Sequence, residues 1–334
     1  MYKRKVLSHR GIIDADQVVP GDYLYEYGTS KMLEIKYIDV RHHEKLYDMR
    51  YSDNRIEKVG ESEKILFGDK IYNVWDIPGK VKEYIPMRRY VVDFGKLIPP
   101  VKPDSYSAGA ILGYGTIADV FISIPADKIK VLDHILYVNG WDVYPEAADV
   151  IYFQELGTSD KLTWKDVFKC GTRPMDMFMI NYHINSPIIP DEYRVNTPEE
   201  RVKFIRGVFD TGYSKDINPD KISITHYDDI RLKTIQRMLW ALGIMSFIHS
   251  SNGIFQLDII GPEQDYAGFF YDIENRARMI NTDYDVYKCD PTFELYLESV
   301  MRSLMCSDET CYYFETEKPH AIYYSDQYLP RVAL

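Results

Sequence analysis

Residues able to do chemistry are scattered along this chain, and few stand at spacings that imply a site. Cys306 and Cys311 could be half of a metal centre, but no second pair at ligand spacing accompanies them. Free thiols in a reducing compartment are therefore expected. His42 and His43 read as a solvated turn and His183, in "MINYHINSP", as a satisfied histidine. The Gly113-Tyr114-Gly115 run lacks both the third glycine and the preceding strand of a dinucleotide loop, and no Ser-His-Asp arrangement can be argued from spacing. What remains is a pair of apolar, glycine-bearing runs, each followed by a polar break: "SAGAILGYGTIADVFISIP" from Ser107 and "FIRGVFDTGYS" from Phe204. Their nearby acids are Asp119, which reads as turn or strand-entry chemistry, and Asp210.

The elements that would position these runs fall into two regions. Residues 1–99 read as all-β, with "DYLYEYG", "MLEIKYIDV", "KLYDMRYSD" and "RYVVDFG" as short strands. Pro20-Gly21-Asp22 launches one of them, and a hairpin is expected around Asp53-Asn54. The proline-rich "KLIPPVKPDSYS" marks a boundary. Beyond it one unit occurs twice. Each copy has a small-residue helix carrying Gly109 or Gly207, then an "ISI" strand, a helix ending in Asn139-Gly140 or Leu242-Gly243, and a further strand ("VIYFQEL", "IFQLDIIG"). Gly109 and Gly113 lie on one helical face, where two backbones could approach closely. Thr197, Pro198 and Glu200 have the pattern of an N-cap, a first helical residue and a capping box.

Composition narrows the classes. The chain has 334 residues, 46% hydrophobic and 27% charged, which suits a globular protein of two or three cores. Its 29 tyrosines suit both cores and interaction surfaces. No apolar run is long enough to span a bilayer, and the basic start "MYKRKVLSHRGIID" is not a signal peptide, so a cytoplasmic or virion-associated protein is expected. The net charge of −11 is unevenly spread: +2 over residues 1–99, −9 over 100–290 and −4 over 291–334. The middle region thus has the wrong overall sign for binding phosphates.

The repeated unit resembles the LAGLIDADG (dodecapeptide) homing endonucleases. "IPPVKPDSYSAGAILGYGTI" is similar to the first motif with its lead-in, "IIPDEYRVNTPEERVKFIRGVFDTG" to the second, and "LKTIQRMLWALGIMSFI" to the family's late helix and following strand. The flanks "GIIDADQVVPGDYLYEY", "KLYDMRYSDN" and "FETEKPHAIYYSDQYLP" resemble the opening and closing blocks of an intein's Hint splicing domain. Together the likenesses imply an α+β protein, with a β-rich Hint-like domain (1–99 plus 291–334) and an inserted, pseudo-twofold LAGLIDADG-type domain of α/β repeats (100–290). The two repeats run over about 105–170 and 198–275, with their leading helices meeting at the dyad through Gly109, Gly113 and Gly207.

The resemblance also implies catalytic residues, and here the sequence departs from it. In the family each motif helix ends in an aspartate that holds metal at the scissile phosphates. Alignment on Gly109 puts Tyr114 at that position and alignment on Gly207 puts Gly212 there; Asp210, two residues earlier, is the fallback in a shifted register. The intein block Thr-x-x-His aligns with "VGESEK", leaving Gly60 and Glu63 where Thr and His belong. The chain opens with Met1 and Tyr2 where a Cys or Ser nucleophile is needed, Ser8 falls within the first strand, and "YLPRVAL" lacks the closing His-Asn.

The expected function is therefore a splicing-dead, cleavage-dead relative kept as a protein-binding or structural part, with a protein partner, in keeping with the family's habits within a phage or mobile-element assembly. No cofactor is expected, Mg²⁺ only if nuclease activity survives. Two alternatives stand beside it. One is a sequence-specific DNA-binding regulator using a basic stripe drawn from Lys161, Lys165, Lys169, Lys215 or Lys221, and the other an active endonuclease using Asp210 or Asp119.

Overall fold

The computed structural model describes residues 5–53, 55–67, 70–77, 86–87, 91–95, 103–114, 121–145, 149–167, 189–212, 221–226, 229–244, 246–260, 295–302, 309–325 and 328–334. It is an α+β protein, rich in strands, whose chain divides into two compact units: Met1–Asp93 with Trp240–Met245 and Cys289–Leu334, and Phe94–Leu239 with Ser246–Lys288. Among the described residues no helix is long and apolar enough to cross a membrane.

The first unit is built from antiparallel sheets in which early and late segments of the chain pair. Glu309–Thr316 lies against the long strand Met32–Glu44, followed in order by Tyr23–Tyr25, Lys5–Ser8 and Gly11–Asp14. A four-stranded sheet runs Ile56–Gly60, Leu46–Tyr51, Leu295–Arg302, Pro86–Met87. Val6, Leu24, Leu33, Ile35, Phe314 and Tyr323 fill one core, and Met49, Tyr51, Val59, Ile65, Leu297 and Leu329 another. The turn at Gly21 has a φ of +94°, a conformation glycine adopts without strain, and Asp22 N–H closes it on the Val19 carbonyl at 3.0 Å. In the described part of "RYVVDFG" the expected strand is absent: residues 91–95 belong to no sheet, and Val92 N–H bonds the Ala241 carbonyl at 2.9 Å. The β-branched run there is satisfied by burial of Val92 and Phe94 instead of by a strand partner.

The second unit holds four longer helices: α1 (Ser105–Tyr114), α2 (Ile129–Asn139), α3 (Pro198–Gly212) and α4 (Asp229–Ala241), the last of which ends in the segment grouped with the first unit. Each repeat supplies a three-stranded antiparallel sheet, Ser123–Pro125, Val150–Glu155, Trp141–Val143 in one and Lys221–His226, Ile254–Ile260, Ser246–Ser251 in the other. Asp104 caps α1, its carboxylate accepting from the Tyr106 and Ser107 N–H groups at 3.0 and 3.4 Å. Thr197 Oγ1 accepts from Glu200 N–H at 3.4 Å at the start of α3. The Glu200 carboxylate accepts from Ser105 of α1 at 2.6 Å and pairs with Lys203 at 2.7 Å, so the acid at the capping-box position also ties the two helices together. α2 stops at Gly140, whose φ of +69° turns the chain into the next strand.

Candidate functional site

α1 and α3 pack backbone to backbone, and the sequence allows it because small residues occupy the crossing. A Cβ built on Gly109 would collide with the Phe204 carbonyl, and one built on Gly207 with the Tyr106 carbonyl. Further along, a Cβ on Gly113 would stand 2.8 Å from the Val208 Cα, and one on Gly212 2.8 Å from the Gly113 carbonyl oxygen. Thr211 Oγ1 donates across the pair to the Ala110 carbonyl at 2.6 Å. Glycine at these positions answers a steric demand of the neighbouring backbone.

Tyr114 and Gly212 are the last residues of their helices, and neither supplies a carboxylate. Asp210 does, but its side chain lies inside the helix pair. It is 2% exposed, and Tyr106 Oη donates to its Oδ2 at 2.8 Å. Tested against a hard divalent ion, which needs several oxygen donors converging on an accessible point, these three residues do not fit. Gly212→Asp would also press its Cβ on the Gly113 carbonyl. Asp119 and Gly115 lie outside the described residues, as do Cys306, His183, Lys169 and Lys215.

The second candidate centre lies in the first unit. Gly60 ends a strand where an added Cβ would run into the Tyr313 hydroxyl and stand 3.0 Å from the Cys311 sulfur. Beside it Glu44, 7% exposed, accepts from Ser62 Oγ at 2.7 Å, Ser62 N–H at 3.1 Å and Tyr313 Oη at 3.1 Å. Glu63 is 2% exposed and pairs with the fully buried guanidinium of Arg331 at 3.1 Å; Glu57 pairs with the same guanidinium. Tyr51 packs in this cluster. Burial pushes its phenol well above the usual range, the Glu57 charge adding to the effect and Arg331 opposing it. Ser8, in the first strand, donates to the Gly11 carbonyl at 3.1 Å and has a structural role. His42 Nδ1 lies 3.0 Å from Thr310 Oγ1 in an exposed setting.

The structure thus brings Gly109, Gly113, Gly207, Gly212 and Asp210 together at one helix crossing. Gly60 and Glu63 stand three residues apart on the chain but face different neighbours, Glu44 with Tyr313 and Arg331 with Glu57. Sequence reading missed Tyr106, Glu44, Tyr313 and Arg331. Their partners are distant in sequence, and no local spacing announces them.

The outer faces of the two repeat sheets differ in chemistry. On the first, Lys161 Nζ lies over the rings of Tyr152, Tyr144 and Phe121, at 4.1, 5.0 and 5.2 Å from their centroids. On the second, Asp258, 4% exposed, accepts from Ser223 Oγ at 2.7 Å and Gln256 Nε2 at 2.8 Å, and His249 Nδ1 lies 3.3 Å from it.

No family model matches this chain, and no curated protein does. Its neighbours among solved structures are inteins and LAGLIDADG-type domains. The crystal structure of the MchDnaB-1 intein is 16% identical, with a TM-score of 0.20 over 22% of this chain and 56% of its own. The N-terminal LAGLIDADG domain of DUF199/WhiA is 15% identical, with a TM-score of 0.30 over 56% of this chain and 87% of its own. I-DmoI, crystallised in complex with DNA and Mn, is 14% identical, with a TM-score of 0.29 over 52% of this chain and 93% of its own. The chain spans 56% and 64% of the length of two intein structures it matches. Similarity at this level leaves the chemistry of the chain to be argued from its own side chains.

Proposed function

We propose that this chain combines a Hint-like unit with an inserted LAGLIDADG-like unit, that splicing and cleavage have both lapsed, and that the helix-pair unit serves as a body for binding another protein. One observation carries the reading: the acids at both candidate centres are spent on internal pairing. Asp210 holds the Tyr106 hydroxyl and Glu63 holds Arg331, each almost wholly out of solvent. A catalytic carboxylate must reach a substrate or a metal, whereas a carboxylate held in a buried pair is occupied by its own partner.

Charge supports a protein partner over duplex DNA. Residues 100–290 carry a net −9, and Lys161, a candidate for a phosphate-binding stripe, has its ammonium over aromatic rings instead.

The test is a binding and cleavage titration on a pool of random duplex DNA with Mg²⁺, beginning at low salt and raised stepwise, with the mass of the protein followed in parallel. An intact chain, uncut DNA and no retention of DNA are expected. Site-specific cutting, or release of a peptide fragment, would sink the reading. Tight, salt-dependent retention without nicking would replace it with a DNA-binding regulator, since counterion release leaves that signature.

A further inference from the structure

The chain carries two Asn-Gly pairs, and the fold treats them in opposite ways. Asn139-Gly140 closes α2. Asn139 Nδ2 donates to Ser107 Oγ at 2.8 Å and to the Ile135 carbonyl at 2.9 Å, and its Oδ1 accepts from Asp104 N–H at 3.2 Å. Gly140 N–H is itself bonded to the Leu136 carbonyl at 3.0 Å. Asn252-Gly253 stands at the tip of the hairpin that joins Ser246–Ser251 to Ile254–Ile260, where Ser251 pairs with Ile254 and only these two residues form the loop. Their φ values of +53° and +77° are those of a type I′ turn, which Asn-Gly favours. Both residues are exposed, and no atom lies within 4 Å of a Cβ built on Gly253. Among the described residues neither the Asn252 side-chain amide nor the Gly253 N–H has a hydrogen-bond partner.

We propose that Asn252 is a self-modification site, converted in the folded chain to isoaspartate and aspartate. The Gly253 backbone nitrogen, after giving its proton to hydroxide, attacks Cγ of Asn252. The N–Cγ bond forms, the Cγ–Nδ2 bond breaks, and ammonia leaves with a proton from water, which regenerates hydroxide. Water then opens the five-membered succinimide at either carbonyl. Opening at the former side-chain carbonyl gives aspartate, and opening at the main-chain carbonyl gives isoaspartate. Nothing is oxidised or reduced, and water is the only co-reactant. Glycine favours the attack because no Cβ shields its nitrogen. The ring closes once the turn opens, and an exposed loop tip opens at little cost. Asn139 must first give up the four hydrogen bonds above, which at the low end of their net worth is a factor of about thirty. Either product adds a negative charge to the tip of the second repeat sheet. Isoaspartate also adds a backbone methylene, so the two-residue loop no longer holds Ser251 opposite Ile254, and the neighbouring pair of Ser250 with Phe255 loosens.

The full chain is held in mildly alkaline, ammonia-free buffer, one portion native and one in urea, and sampled over time. Peptides from a mildly acidic digest are read by mass spectrometry, and isoaspartate is counted by methyl transfer from S-adenosylmethionine with isoaspartyl methyltransferase. In the native chain the Asn252 peptide should convert to a mixture of isoaspartate and aspartate, at a rate within about tenfold of that in urea. Asn139 should convert at least about thirtyfold more slowly than Asn252. In urea the two should convert at similar rates; an equal contrast there would assign the difference to flanking residues and overturn the role of the fold. Asn252→Gln should remove the label from its peptide, because the longer amide would have to close a six-membered ring. A native Asn252 that stays unmodified while its counterpart in urea converts overturns the proposal, as does equal conversion of Asn139 and Asn252 in the native chain. Conversion to aspartate alone would mean direct hydrolysis and would overturn the attack by Gly253.

Discussion

Tyr106 of α1 donates its hydroxyl to Asp210 of α3 at 2.8 Å, two residues before α3 ends, in a setting where the carboxylate is 2% exposed. The bond crosses the helix pair close to where Gly109 and Gly207 let the backbones touch. It makes Asp210 a structural acceptor that the interface requires.

Tyr106→Phe should therefore lower stability by about 0.5–1.5 kcal/mol, the net contribution of one intramolecular hydrogen bond. Urea unfolding of the full chain measures this, and calorimetry with Mg²⁺ should show no gain in binding. If removing the hydroxyl instead freed Asp210 to take up metal, the structural assignment would be wrong.

Gly109→Ala tests the crossing itself. Its Cβ meets the Phe204 backbone, which cannot rotate away as a side chain could, so a loss of at least about 1–3 kcal/mol is expected. Gly140→Ala is the control. No atom lies within 4 Å of its added Cβ, and only the φ of +69° opposes it, at about 1–2 kcal/mol. Equal denaturation midpoints for Gly109→Ala and wild type would mean that the helices can separate at no cost.

These two sites show what the sequence makes legible. Helix ends, the Pro20-Gly21-Asp22 turn and the spacing of glycines depend on neighbours along the chain, and they can be read directly. The position of Asp210 in the sequence leaves open whether its carboxylate faces solvent or the helix interface, because its helical register permits both until Tyr106, 104 residues away, is in place. Arg331 and Glu63 are likewise joined only by the fold. The "RYVVDFG" run misleads for the converse reason: its composition suits a strand, but no strand pairs with residues 91–95. Phe121, Tyr144, Tyr152 and Lys161 likewise come together from four separate segments, so no window of sequence contains the group.

Arg331→Met should be among the most damaging substitutions in the first unit. The guanidinium is fully buried between Glu57 and Glu63, and its removal takes the counter-charge from two buried carboxylates. Breaking a buried pair in this way costs about 3–5 kcal/mol. Adding Glu57→Gln and Glu63→Gln should recover a substantial part of the loss, since neutral amides need no counter-charge. A triple variant no more stable than Arg331→Met would show that packing of the arginine stem, and not charge, dominates.

The same cluster sets an alkaline limit. Tyr51 is buried in the folded chain, and desolvation raises its pKa above the ordinary phenol value of 10.0. Below that pH the phenol is neutral in both states, and its contribution is fully present. Above it the unfolded chain releases the proton while the folded chain keeps it. The native state then binds more protons, and stability falls with pH by up to about 1.4 kcal/mol per unit for this one group. The other tyrosines titrate too, so the comparison is with Tyr51→Phe, which lacks this proton. Between about pH 9 and 11 the urea midpoint of the wild type should fall further than that of the variant. Parallel decline would mean that Tyr51 ionises as readily in the fold as in the open chain, and that the Arg331 charge beside it outweighs its burial.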